Sequence, residues 1–268
     1  MHEQKELYAS KIFFNAALPL LKVIATDVPS LKAKFDKLTT VLQVSALDPE
    51  AEGGKYATHF IITEGEWETK LNAAHEAPDV ELEFKTIEAM NAFFKGKIGP
   101  KTLPKMKGII KNFPAFTAML MTLLKLSDLT GATQPPKDEE TKTLMVKCFF
   151  YLLSSGISQL NKMGHEGIKD WTSKSPDRVY AFAVDGHPEV AAFIRIKAGK
   201  SRAGRGEYKR AMPFFTLRFN NLDSALGILL SIDDMLEATK AGRLIMDGGP
   251  EFGAQLGGFM LEVGDLVK

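Results

Sequence analysis

Side chains able to do chemistry are few in this chain of 268 residues, and their spacing argues against most of it. The histidines, His2, His59, His75, His165 and His187, are scattered, with no two at a ligand spacing, so no metal is expected. The one cysteine, Cys148, lies in the apolar run VKCFFYLL and reads as a small buried hydrophobe. No nucleophile elbow G-x-S-x-G, no phosphate-binding Walker loop and no H-E-x-x-H pair occurs. Asp185-Gly186-His187-Pro188-Glu189 sets an imidazole beside carboxylates, yet its Gly and Pro are what a tight turn requires. Asp247-Gly248-Gly249-Pro250 could offer free N–H groups to an anion, but Asp247 would repel one. A turn leading into a helix with Pro250 first is expected instead. The expectation is a protein without catalytic residues or cofactor, and not an enzyme.

Charge is uneven along the chain although the formal total is only +1, which gives no field for nucleic acid. One stretch holds Glu64, Glu66, Glu68, Glu76 and Asp79 against Lys70. Its later counterpart, KAGKSRAGRGEYKR, holds Lys197, Lys200, Arg202, Arg205, Lys209 and Arg210 against Glu207. With Gly199, Gly204 and Gly206 interspersed, the basic stretch is expected to be a mobile loop. Lys200, Arg202, Arg205 and Arg210 would then contact an anionic surface, either a membrane or the acidic stretch of a second copy.

The elements that must position these groups follow from periodicity. Val80, Leu82 and Phe84 alternate with Glu81, Glu83 and Lys85, a half-buried strand with its charges in water. At Thr86, a capping type, the period becomes helical through Ile87, Met90, Phe93 and Phe94. Lys105 to Lys111 reads as a short strand, and Phe113 to Leu126 as a helix apolar nearly all round that must be covered on most sides. Earlier come an apolar helix over 7–26 broken or bent at Pro19, a second helix near 28–38, and strands at 41–45, 58–63 and 67–71.

The pattern then returns. Phe215 to Phe219 follows Val80 to Phe84 at an offset of 135, and Lys147-Cys148-Phe149-Phe150 follows Lys11-Ile12-Phe13-Phe14 at 136. Asn221 stands where Thr86 stood, while Gly242-Arg243-Leu244 arrives about ten residues late relative to Gly96-Lys97-Ile98. The expected organisation is a domain over 1–130, a Gly/Pro-rich linker over 131–140 and a second domain over 141–268, related by internal duplication. Hydrophobic residues at 45% and charged ones at 25% are values of a globular chain. The charged start MHEQKELYASK lacks the apolar core of a signal peptide, and no segment reads as long enough to span a bilayer; a cytoplasmic location is expected.

VELEFKTIEAMNAFFKGKIGPKTL followed by the apolar helix FPAFTAMLMTLLKL resembles the sterol carrier protein-2 family, and so do FTLRFNNLDSALGIL and PEFGAQLGGFMLEV. The resemblance covers about half of each copy. It implies an α+β fold: two domains, each a mostly antiparallel five-stranded sheet packed against helices and each preceded by an apolar helix. It also implies an apolar tunnel between sheet and helices that holds lipid or fatty acyl ligands. In the first copy the lining would be Leu82, Phe84, Phe93, Phe94, Phe113, Phe116, Met119, Leu120 and Leu123. In the second it would be Phe215, Leu217, Phe219, Phe252, Leu256, Phe259 and Met260. The alternative is a structural or interaction module whose interiors are filled.

Overall fold

The computed structural model describes residues 2–267 and divides into two compact units, one formed by residues up to 128 together with 266–267 and one by 129–265.

The first unit opens with α1 (Gln4–Ile12), α2 (Leu20–Asp27) and α3 (Pro29–Phe35). Between α1 and α2, Phe13–Ala17 widens into a π turn, and the Leu18 N–H reaches back to the Phe13 carbonyl at 2.8 Å. Pro19 brings no N–H to this turn, so the break expected there takes the form of a local unwinding. The sheet follows as β1 (Thr39–Leu47), β2 (Lys55–Thr63), β3 (Glu66–Lys70), β4 (Val80–Phe84) and β5 (Lys105–Lys107), with α4 (Ile87–Phe94) between the last two and α5 (Phe113–Thr130) closing. Its order is β3-β2-β1-β4-β5, and only β1 and β4 are parallel. In that register Leu42, Val44 and Ala46 lie beside Val80, Leu82 and Phe84, and all six are buried.

In the second unit α6 (Glu139–Lys162) and α7 (Glu166–Lys174) precede β6 (Arg178–Val184), β7 (Ala192–Lys197), β8 (Lys200–Arg205) and β9 (Phe215–Phe219). Then come α8 (Leu222–Leu229), α9 (Met235–Lys240), β10 (Leu244–Asp247) and α10 (Pro250–Val267). The sheet order is β8-β7-β6-β9-β10, again with one parallel pair, β6 and β9. The helix after that pair starts the same way in both units. Thr86 Oγ1 accepts from the Ala89 N–H at 3.1 Å, and Asn221 Oδ1 from the Ser224 N–H at 2.8 Å. The late arrival of Gly242 is explained by α9, which has no counterpart between α4 and β5.

Polar groups fix the register of α6 on the sheet. Asn161 Nδ2 donates to Ser201 Oγ at 3.0 Å and to the Gly199 carbonyl at 3.2 Å, while Thr172 Oγ1 of α7 donates to Asn161 Oδ1 at 2.6 Å. Gly156 makes room for α10, since a Cβ there would stand 2.6 Å from Val263 Cγ1.

Four expectations need correction. The strand after Pro104 is only Lys105–Lys107, because Gly108, at φ 76°, turns the chain out of the sheet. Helix α6 begins inside the expected linker at Glu139, capped by Asp138, whose carboxylate accepts from the Thr141 N–H. The stretches Gln4–Asp27 and Glu139–Lys162 are each long and apolar enough to cross a membrane by length and composition, though 78% of each apolar window is buried within the protein, as in a core helix. Helix α5 is apolar all round but not covered all round: Phe113 is 59% exposed and Leu124 55%.

Candidate functional site

The titratable groups singled out in the sequence are mostly spoken for by structure. The 185–190 stretch is a turn in which the His187 N–H bonds the Val184 carbonyl at 3.1 Å and Nδ1 meets Glu189 at 3.0 Å. Pro250 is the first residue of α10, as a turn-and-helix start requires, and Asp247 is engaged by Arg218. His59 Nδ1 donates to the Ala73 carbonyl at 2.7 Å. The fold does gather one set that spacing could not show: His2, Asp48 and Glu50 present ligand atoms within 4.8 Å of one another. His2, however, lies between the carboxylates of Glu88 and Asp48. Hydrogen bonding to Glu88 and then to Asp48 raises its pKa, which favours an imidazolium, and an imidazolium has no lone pair for a metal.

The helix-facing layers hold most of the residues expected to line tunnels. In the first unit Leu82, Phe84, Met119 and Leu123 are buried, and Phe93, Phe94 and Phe116 half-buried. Phe84 meets Phe93 and Phe94 at 5.4 and 5.6 Å, and Phe94 stacks on Phe13 at 3.8 Å. Phe113 and Leu120 lie apart from this group at the surface, Leu120 being 41% exposed. In the second unit Phe215, Leu217, Phe219, Leu256, Phe259 and Met260 are buried and Phe252 half-buried. Gly253 and Gly257 of α10 make room for side chains: a Cβ would lie 2.4 Å from Met246 Sδ and 3.0 Å from Met235 Sδ.

Within that second layer stands a residue that sequence reasoning passed over. Tyr180 of β6 is 1% exposed and ringed by Trp171 at 5.0 Å, Phe214 at 5.8 Å, and Phe215 and Phe252 at 6.3 Å. Its hydroxyl has no hydrogen-bond partner among the described residues. An unpaired hydroxyl in an apolar wall is costly, and buried polar groups are nearly always hydrogen-bonded. At the same register position the first unit has Leu42, paired with Val80 as Tyr180 is with Phe215. The available signal was therefore a tyrosine where the other unit is aliphatic.

The opposite faces of the two sheets differ sharply. In the first unit Glu81 Oε1 accepts from Gln43 Nε2 and Ser45 Oγ, both at 2.7 Å, and from Lys55 Nζ at 3.1 Å, while Oε2 accepts from Lys107 Nζ at 2.9 Å. Burial alone would raise its pKa, but the bonds from Ser45, Lys107, Gln43 and Lys55 outweigh burial and hold it at about 2. The loop after β3 seals this cluster: the His75 N–H donates to Gln43 Oε1 at 2.7 Å. Glu81 is consequently 3% exposed, not in water as its alternation suggested.

The second unit has Ala181, Ala183 and Thr216 at the places of Gln43, Ser45 and Glu81, and an open groove of about 590 Å³ results. Its strap, 207–213, is tied at either end by Gly206 N–H to Ala191 O at 2.7 Å and Phe214 N–H to Val179 O at 2.9 Å. Arg218 closes one side, bonded to Asp247 and Asp185. The basic stretch leading into the strap is not the mobile loop expected. Lys200 and Arg202 belong to β8, as does Arg205, which lies 5.0 Å from the ring centre of Tyr151; only Arg210 is in the strap.

No family model and no curated protein matches the sequence. Several solved structures are similar in fold, two of them as follows. One is a crystal structure of sterol carrier protein 2, 15% identical, with a TM-score of 0.34, covering 43% of this chain and 95% of that one. The other is the solution structure of a conserved hypothetical protein of Thermus thermophilus, described as a candidate sterol carrier protein; it is 18% identical, with a TM-score of 0.29, covering 43% of this chain and 82% of that one.

Proposed function

We propose that this protein binds and carries, without catalysis, an apolar molecule with one polar group, such as a sterol or fatty acyl lipid. The ligand would lodge between the sheet and α10 of the second unit. The observation that carries this reading is the buried, unpartnered Tyr180 hydroxyl inside a wall of aromatic rings. A ligand hydroxyl or carboxyl would complete the missing hydrogen bond. The thioethers of Met235 and Met246, seated against glycines, can repack around a chain of variable shape. Segment resemblance to the sterol carrier protein-2 family points to the same chemistry. The common strand order, the offset of 135 and the paired caps at Thr86 and Asn221 support descent of the two units from one duplicated domain. With Leu42 in place of Tyr180, the first unit then keeps the fold as a filled partner while the second retains the site.

The test is uptake of cis-parinaric acid and dehydroergosterol by the full chain, with native mass spectrometry to detect a co-purifying lipid. Tyr180→Phe should fold normally and bind at least fivefold more weakly, the effect of one hydrogen bond of about 1 kcal/mol in an apolar site. Absence of uptake by the wild type, or undiminished uptake by Tyr180→Phe, would favour the filled interaction module.

A further inference from the structure

From Lys95 to Lys125 the chain contains seven lysines, the others being Lys97, Lys101, Lys105, Lys107 and Lys111, and not one acidic residue. Lys107 is bound by Glu81 and Glu83. Among the described residues the other six form no ion pair. The same stretch supplies eight of the fifteen large apolar side chains exposed among the described residues. Within it Ile110 is the extreme case at 96%, followed by Ile98 at 68%, and Leu103, Met106 and Phe113 are also exposed. So many exposed apolar side chains in one stretch, set among lysines with no acid, are not ordinary surface.

Nor is it a floppy one. Ile110 sits on a bend anchored on both sides to the Asp79 carbonyl. Asn112 Nδ2 donates to that oxygen at 2.9 Å, and Gly108 presses so near it that a Cβ would lie 1.8 Å away. Upstream, Thr102 Oγ1 accepts from the Gly99 N–H and donates to the Lys97 carbonyl at 2.7 Å, fixing the turn that presents Ile98 and Leu103. Ile98, Leu103 and Ile110 are therefore exposed on hydrogen-bonded bends, with lysines between them in sequence.

We infer that this face of the first unit, 95–125, docks on an anionic lipid bilayer. Ile110, Ile98 and Phe113 would enter the headgroup–acyl boundary, and the unpaired lysines would lie in the plane of the lipid phosphates and carboxylates. The charge pattern selects this partner. A second copy of the chain offering the same face would bring lysine against lysine with no acid to relieve it. Nucleic acid would leave the aliphatic groups in water. A bilayer satisfies both halves of the pattern. The surface lies in one unit and the Tyr180 layer in the other, so docking stands or falls independently of ligand uptake.

Co-sedimentation of the full chain with vesicles tests it, using phosphatidylcholine alone and phosphatidylcholine mixed with phosphatidylserine, which supplies a negative surface potential. The protein should bind the anionic vesicles and weaken as salt rises, with little binding to phosphatidylcholine alone. Ile110→Asp should weaken binding at least tenfold, and the triple change Lys97→Glu, Lys101→Glu, Lys111→Glu should abolish it. Both variants alter exposed side chains, and unchanged melting temperatures would show that the fold is intact. Failure to bind anionic vesicles, equal binding to neutral ones, or binding indifferent to Ile110→Asp would overturn the inference. So would a wild-type oligomer in vesicle-free buffer that Ile110→Asp dissolves, since a second copy would then be the occupant.

Discussion

Glu83 and Arg218 occupy the same place in the two sheets, each on the strand parallel to the unit's first, one beside Ser45 and the other beside Ala183, yet they carry opposite charge. Their partners are reversed to match: Lys55 and Lys107 hold Glu83, while Asp185 and Asp247 hold Arg218. The outer face of one sheet is thereby a sealed polar cluster, and that of the other an open groove.

The sealed cluster makes the first unit sensitive to acid. Glu81 is held at about pKa 2 against an ordinary 4.5, so its contribution is complete above the unfolded value and is lost as pH falls from about 5 to about 2. The shift corresponds to about 3 kcal/mol. Each unit has one tryptophan, so unfolding of the first can be followed through Trp67 in a Trp171→Phe background. Glu81→Gln should lower stability at pH 6 and cost little near pH 2. A penalty independent of pH would contradict the assignment.

Two glycines should respond differently to alanine. Gly156→Ala places a methyl on the branched end of Val263 beneath α10, and overpacking there should cost about 1–3 kcal/mol despite a gain in helix propensity of about 1 kcal/mol. At Gly204 the obstacle is the half-buried ring of Phe193, whose swing toward solvent would give up its contact with Tyr208. That loss is about 0.5–1.5 kcal/mol. Urea midpoints should rank Gly156→Ala well below Gly204→Ala.

Asn161→Leu should cost about 2 kcal/mol, because it strips partners from Ser201 and Thr172, which are both buried. Thr172 adjoins Trp171 on α7, so indole fluorescence in a Trp67→Phe background reads the change directly. Ser158→Ala, which leaves the Asn161 bonds in place, should cost less.

Proteolysis should begin between α5 and α6. Residues 131–138 contain no helix or strand and include Pro135 and Pro136. Brief digestion with a low-specificity protease should give two fragments of nearly equal size, and a first cut inside either sheet would contradict this placement.

Much of the fold was legible because it rests on alternation and capping. VELEF and FTLRF declared their inward faces, and Thr86 and Asn221 marked helix starts that the structure reproduces. What alternation cannot report is whether a loop crosses the outward face. Glu81 therefore looked solvated, although the loop bearing His75 covers it. The same limit hid the groove, which exists because Ala181 and Ala183 are small. Tyr180 was missed because in a strand it reads as one more core aromatic; only its unpaired hydroxyl sets it apart. Lys105 to Lys111 looked like a strand because the φ of Gly108 is invisible in composition.

Since both sheets place β1 beside β4, or β6 beside β9, in the same direction, each central pair must form between distant segments. A chain holding two such units offers every incoming strand two possible seats during synthesis, the setting in which tandem domains misfold. The charge reversal discriminates between them. Seated on β6, the strand Val80–Phe84 would lose Gln43 and Ser45 and set Glu81 against Ala181, an acid without its donors. Phe215–Phe219 on β1 would leave Arg218 far from Asp185 and Asp247. The two ion clusters thus act as address labels for strand pairing. A Glu81→Thr, Glu83→Arg chain, with the label of the first unit overwritten by that of the second, should refold in lower yield and aggregate more than its equilibrium stability accounts for.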